Sequence, residues 1–351
     1  MSDDRHIVLS AFPLTVADAV LLTMGELSCG EMTTPITHAT MLEYAGKGAV
    51  CFAEDMKAFE RLNQTKDVTC LITQDIWHHL SEETNYDDVS IALIIVDRPK
   101  DRFASLMSRL YPPSASTGKI DTMASIAADA TIGHNVQIDA FARIGSKAVI
   151  GDNTIIASNT VIGDNVIIGR DCWIMPGVHI EHATLGDQVQ ISSGSVIGHI
   201  GFGVTGDGKN QLISHIGKVI IGDHCYIGAL NSIDRGMLGD TVIGNHVMTD
   251  SQCHIAHNVQ IGNGCIICAK SGIAGSVTIG ERNIFGPDVG VASHVTIGSG
   301  NLFASRSGIT KDVSSGNVMG GFPAVPIADY RVQVAAVRRL ARNLKSRAGK
   351  E

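Results

Sequence analysis

Ten isoleucines stand six residues apart, from Ile126 through Ile132, Ile138, Ile144, Ile150, Ile156, Ile162, Ile168 and Ile174 to Ile180. A period of six matches neither the 3.6 of a helix nor a long two-residue alternation. It matches short strands joined by tight turns, with one aliphatic side chain per hexad pointing into a shared core. Three such strands close one triangular coil of about 18 residues, and stacked coils pair their backbones at about 4.8 Å. The spacing predicts a parallel β-helix.

The beat slips by one residue at Leu185 and continues through Ile191 and Ile197. A polar, glycine-rich excursion over 201–217 is too irregular to lie in the wall. The beat returns at Ile221, Ile227 and Ile233, shifts across an insertion at 234–240, and resumes at Ile243. From Ile255 to Ile309 one register holds, with Phe285 and Phe303 taking isoleucine positions. Small residues recur just after the inward aliphatic, among them Gly133, Gly145, Gly151 and Gly163. Turns between faces need residues that tolerate crowded or positive-φ backbone, which glycine supplies. The prism therefore spans 120–319, on the order of ten coils.

The flanks do not share this beat. Residues 1–115 alternate helix-like and strand-like stretches: 49–52, 70–73 and 91–96 read as strands, and 97–110 as a helix stopped by Pro112-Pro113. That is a small α/β domain. After Gly320-Gly321-Phe322-Pro323, residues 328–347 read as an amphipathic helix with Val334, Val337, Ala341 and Leu344 at coiled-coil spacing. Arg338, Arg339, Arg342, Lys345 and Arg347 crowd the same helix. They read either as the solvated face of a trimer-forming bundle or as a docking surface for an acidic partner.

Composition narrows the function classes. A chain of 351 residues with 5% aromatics and 38 glycines suits a narrow prism that admits one aliphatic per corner. A net charge of −8 argues against nucleic acid as the main partner. The acidic start and the lack of a run of about 20 apolar residues predict neither a secretory leader nor a transmembrane segment. Eight scattered cysteines point to a reducing cytoplasm. Cys265-x-x-Cys268 has no second pair and straddles the core Ile267, so it reads as wall thiols. Gly201-x-Gly203-x-x-Gly206 lacks the strand-to-helix context of a dinucleotide site and reads as a flexible loop.

Chemistry concentrates between Asp250 and Gly262, where His254 and His257 stand in the wall. His257 lies two residues past the inward Ile255 and should project from a turn or outer face. Gly275 comes 18 residues later, one whole coil on, where its N–H could act as an oxyanion donor. His294 is about two coils from His257, on the order of 10 Å, too far to share a hydrogen bond but placed to bracket an extended substrate. For a single histidine on a coil, an exposed or structural role is the default.

The ordered segments Gly201-Phe-Gly203, Ile233-Asp-Arg-Gly236, Asp240-Thr-Val-Ile-Gly244, Ile255-Ala-His-Asn-Val-Gln-Ile-Gly262, Gly272-Ile-Ala-Gly275, Val291-Ala-Ser-His294 and Gly320-Gly-Phe-Pro-Ala324 resemble the UDP-3-O-acylglucosamine N-acyltransferases of lipid A biosynthesis. The resemblance covers almost the full length. It implies a mainly β fold: a left-handed parallel β-helix with an N-terminal nucleotide-recognition domain and a C-terminal helix. Parallel crossovers are normally right-handed, so the hand rests on the resemblance. The implied reaction moves a 3-hydroxyacyl group from acyl carrier protein to the 2-amino group of the UDP-sugar, in a cytoplasmic homotrimer without metal or cofactor. By position, His257 matches the general base, Gly275 the oxyanion glycine, and Asp250 an acidic residue near the base. His294 matches a histidine thought to help bind substrate or carrier.

The resemblance also shows departures. Around uracil the family places an aromatic, an asparagine and a tyrosine; here Phe52 survives, Asp55 replaces the amide and Ala58 the tyrosine. Ser251 and His254, beside the base, stand where the family shows asparagine and glutamine. With Phe52, Asp55 and His294 they complete the expected substrate-binding set. These departures leave open a divergent hexapeptide acyltransferase using short-chain acyl-coenzyme A or another nucleotide amino sugar. A zinc hydratase built on His254, His257 and His294, and a prism serving only as scaffold, are the remaining readings.

Overall fold

The computed structural model describes residues 14–62, 67–83, 91–112, 114–206, 208, 210–321 and 327–348. Two compact units meet in sequence at Ser114 and Ala115.

From Ser125 the chain winds through strands of two to four residues, each paired in parallel with the strand one coil away. They stack into three walls. The first wall has ten strands from Gln137–Ile138 to Val318–Met319, and the second has ten from Ser125–Ile126 to Gly308–Ile309. The third has nine, from Thr131–Ile132 to Thr296–Ile297. This is a parallel β-helix. Register places inward isoleucines over one another, Ile144 on Ile162, Ile162 on Ile180 and Ile180 on Ile197, all buried. Each such burial stabilises by about 1.5–3 kcal/mol, so the ladder outweighs what two-residue strands supply alone. Near the C-terminal end Phe285 and Phe303 fill the axis with rings stacked at 4.9 Å.

Breaks in the sequence beat are absorbed at the corners. Ile168 still pairs with Leu185 across the one-residue slip, and His182 takes a φ of 47° beside it. The excursion leaves the second wall after His199, is bridged between Val204 and Leu212, and re-enters the third wall at Val219. The shorter insertion between Asp234 and Thr241 emerges from the same corner. Gly133, Gly145, Gly151 and Gly163, just after the inward aliphatics, act through crowding, and none of them has positive φ. Left-handed backbone falls instead on residues such as Asn153, Asn159 and Asn165, at 58 to 59°, whose short polar side chains tolerate it. Gly151 sits where a Cβ would lie 2.5 Å from the carbonyl carbon of Gly169 on the next coil.

The outer face of the first wall is unlike the others. Met248, Ile266, Ile284, Leu302 and Val318 stand in register one above another, and each is at least 40% exposed. A contiguous apolar stripe of this kind marks a contact surface more than it marks solvent.

Residues 14–112 form a five-stranded sheet in the order Glu26–Cys29, Ile91–Ile95, Val68–Ile72, Ala49–Phe52, His38–Ala39. The first pair is antiparallel and the rest are parallel. Helix Val16–Thr23 opens on a capping box between Thr15 and Asp18. Helix Pro99–Leu110 begins on proline and packs Leu106 and Leu110 among Val50, Leu71 and Ile94. A C-terminal helix runs from Ile327 to Ala348. Among the described residues no helix is long and apolar enough to cross a membrane.

Candidate active site

Three successive coils bring side chains to the corner between the second and third walls. His257 follows the strand His254–Ile255 and is half-buried in the turn. That strand pairs with Gly272–Ile273, which puts Gly275 at the same turn position one coil on. The His257 ring lies against Gly275: a Cβ there would fall 2.7 Å from Nε2 and 2.8 Å from Cε1. Glycine alone leaves that room.

Asn258 sets which ring nitrogen is basic. Its Oδ1 accepts the Met237 N–H at 2.9 Å while its Nδ2 donates to the Gly239 carbonyl at 3.2 Å, so the amide orientation is fixed. Oδ1 also faces His257 Nδ1 at 3.0 Å. An amide oxygen only accepts, so in the neutral ring Nδ1 carries the proton and Nε2 keeps its lone pair. Nε2 is the ring nitrogen nearer Gly275.

The Gly275 N–H has no hydrogen-bond partner among the described residues. At some turns the same N–H is capped by a side chain of the next coil; at others, Asp164 and His257 among them, no such cap is made among the described residues. Asp164 caps Ser146 at 2.9 Å, and Asn263 caps Asn245 at 2.8 Å. Ser293, in that place over Gly275, makes no such bond among the described residues. One coil further on, His294 is exposed, with its own N–H donated to the Gly275 carbonyl at 3.1 Å.

The second wall supplies a buried carboxylate. Asp234 is 5% exposed, with its Oδ2 3.7 Å from His254 Nε2 and its Oδ1 accepting from the Ser232 hydroxyl at 3.4 Å. Burial pushes the Asp234 carboxyl above its ordinary range, and His254, Ser232, His199 and His257 act against that rise. The excursion adds a third imidazole: His215, buried, whose ring centre is 5.2 Å from that of His257 at 75°.

Of the residues expected from sequence, the corner joins His257, Gly275 and, through Asp234, His254; His294 shares its edge. Asp250 does not join them within the chain. Seven residues in a coil carry the backbone around a corner, and Asp250 lies in the turn between the first and second walls. Its exposed carboxylate accepts the Ser251 N–H at 2.7 Å, and Ser251 lies in that turn too. Among the described residues no three or more of His, Cys, Asp and Glu are grouped to hold a metal ion, so His254, His257 and His294 form no such set.

Phe52 and Asp55 belong to the N-terminal unit. Phe52 ends its strand with Phe103 tilted against it at 4.9 Å. Asp55 caps the short helix Met56–Phe59 by accepting the Ala58 N–H at 2.7 Å. A cavity of about 590 Å³ opens here between Phe52, Phe103 and Met107, with Glu54, Asp55 and Arg61 at its edge.

A prism of hexapeptide coils is the architecture of the hexapeptide transferases. The bacterial transferase hexapeptide (six repeats) model matches residues 129–164, 165–199 and 240–275. The UDP-3-O-acylglucosamine N-acyltransferase of Coxiella burnetii is 38% identical over 243 residues, 68% of each chain. That of Pseudomonas aeruginosa is 42% identical over 252 residues, 69% of this chain and 68% of its own. The chain belongs to the UDP-3-O-acylglucosamine N-acyltransferase family of lipid A biosynthesis and is an acyltransferase. An Arabidopsis UDP-N-acetylglucosamine acyltransferase shares the fold at a TM-score of 0.52 and 24% identity, over 58% of this chain and 71% of its own.

Proposed function

We propose that the chain moves a 3-hydroxyacyl group from acyl carrier protein to the 2-amino group of UDP-3-O-acylglucosamine, as a cytoplasmic homotrimer with His257 as general base. The observation that carries this reading is the His257 ring laid against Gly275 at its Nε2, with the Gly275 N–H unpartnered among the described residues. The amine nitrogen attacks the thioester carbonyl carbon, and Nε2 takes the proton that the amine must lose. Charge then builds on the carbonyl oxygen, which the Gly275 N–H is free to bind. The C–S bond breaks, the pantetheine sulfur leaves, and the imidazolium returns its proton to it. Nothing but amine and thioester is consumed.

Other features support the remaining parts. The same corner opens into a cavity of about 760 Å³ bearing Arg143, Lys218 and Arg235, cations suited to a diphosphate, beside the carboxylates Glu181 and Asp240. The Phe52 cavity suits a planar base. Exposed Arg331, Arg338, Arg339 and Arg342 on the C-terminal helix suit an acidic carrier. Supplied side by side, 3-hydroxyacyl carrier protein should be used at least 100-fold better, by kcat/KM, than acetyl-coenzyme A. Preference for the coenzyme A ester would sink the donor assignment. Asp55 favours a second reading, another nucleotide amino sugar, because a carboxylate cannot donate to a base carbonyl and repels phosphate.

The apolar ladder on the first wall supports the trimer. A charge introduced at its centre, Ile284→Asp with Ile266→Asp, should reduce the mass seen by light scattering to that of one chain. Both side chains are 40% exposed, so the prism itself should survive. A doubly substituted protein that keeps three-fold mass would remove this face from the interface.

A further inference from the structure

The excursion carries a group the proposed chemistry does not use. His215 is 5% exposed, and its Nδ1 lies 2.8 Å from the Ile213 carbonyl oxygen. A carbonyl only accepts, so in the neutral ring Nδ1–H is the donor and Nε2 holds the lone pair. That Nε2 is buried without a hydrogen-bond partner among the described residues. Buried polar atoms are almost always satisfied, and leaving one bare costs about 1–3 kcal/mol. An orphan lone pair beside a reacting group therefore calls for a reason.

Its position supplies one. A Cβ built on Gly201 would fall 2.9 Å from His215 Nε2 and 2.9 Å from His257 Cβ, with His257 Cδ2 at 3.2 Å. The bare Nε2 and the Cβ–Cδ2 side of His257 thus border the same small space at Gly201. Gly201 is the thin spacer that lets the two rings approach to 5.2 Å. The lone-pair nitrogen is the negative end of the imidazole dipole. Inside a protein such a dipole acts far more strongly than in water.

We propose that His215 is a positioning residue for His257: it fixes that ring edge-on and turns the negative end of its own dipole towards it. This favours the imidazolium that forms when His257 accepts a proton, and it rests on His257 being the base. The other titratable groups around His257 are Asp234 and His254 on the second wall, His199 at the start of the excursion, and His294 near the same edge. They are unchanged when His215 is replaced, which isolates its contribution.

The test compares His215→Phe, which keeps a ring and removes the lone pair, with His215→Gln, whose amide oxygen can reach the Nε2 position. The phenylalanine variant should lose about 10-fold in kcat with KM changed less than about twofold, as expected for a misoriented group. The acidic limb of its kcat/KM profile should move to lower pH by about half a unit, a roughly threefold loss of proton affinity. The glutamine variant should restore most of that limb. Nitrogen-15 signals of the His257 ring, followed across pH, should show the same displacement without any substrate. A folded His215→Phe protein with the wild-type limb and signals, or a glutamine variant matching it, overturns the proposal. Should the phenylalanine variant not fold, His215→Asn, too short to reach the Nε2 position, takes its place with the same two outcomes. Wild-type protein that turns over no thioester would reject the proposed reaction, and the ring signals would still decide the role of His215.

Discussion

Replacing His257 by alanine should lower kcat for acyl transfer by about 10³-fold, within the 10²–10⁴ range of a positioned base, and leave the proposed trimer and the melting temperature unchanged. The ring lies at a turn, not in the isoleucine core, so its loss opens no cavity along the axis. Three contacts are lost: that of Nδ1 with Asn258, that of the ring with Gly275 and the edge-on contact with His215. Asn258 retains Met237 and Gly239 as partners, so the turn keeps its shape. The residual rate should become nearly independent of pH over the range where the wild-type rate rises. Turnover within threefold of wild type would remove His257 from the role of base. Retained rate with a lost trimer would instead mean that the histidine acts in assembly.

The prism was legible in the sequence because every coil repeats the same local rule. Inward isoleucines recur at one interval, each touches the next coil's equivalent, and the resulting register follows by counting. The same counting put Gly275 one coil from His257. Asp250 came from the resemblance and not from counting, and within the chain it lies in the turn between the first and second walls. The buried acid of the neighbouring coil is Asp234, which wall pairing of Ile233 with Ile255 sets beside His254. Asn258 lay next to His257 in plain view, yet its function depends on the Met237 and Gly239 backbone, displayed by an insertion with no period. His215 lies in the excursion, where periodicity gives no coordinates at all. Contacts made by irregular segments need a third dimension before they can be read.

Gly275→Ala should cost at least 10²-fold in kcat, nearly as much as losing the imidazole, although only one methyl group is added. The backbone at 275 carries no positive φ in this structure, so alanine is tolerated as a conformer. Space is the obstacle. The new Cβ would meet His257 Nε2 at 2.7 Å and Cε1 at 2.8 Å, closer than van der Waals contact allows. Either the ring swings away from the substrate or the turn moves, and the Ser276 N–H bond to the His257 carbonyl at 3.0 Å resists the second. A positioned base is worth about 10²–10⁴ in kcat, and the atoms that the new methyl group meets are those of the base. The two losses therefore should not add: the double variant His257→Ala, Gly275→Ala should be no more than about threefold slower than His257→Ala alone. That follows because the methyl group acts largely by evicting a ring already absent. Full multiplication of the two effects would show instead that the Gly275 N–H is misplaced by the methyl group independently of the histidine.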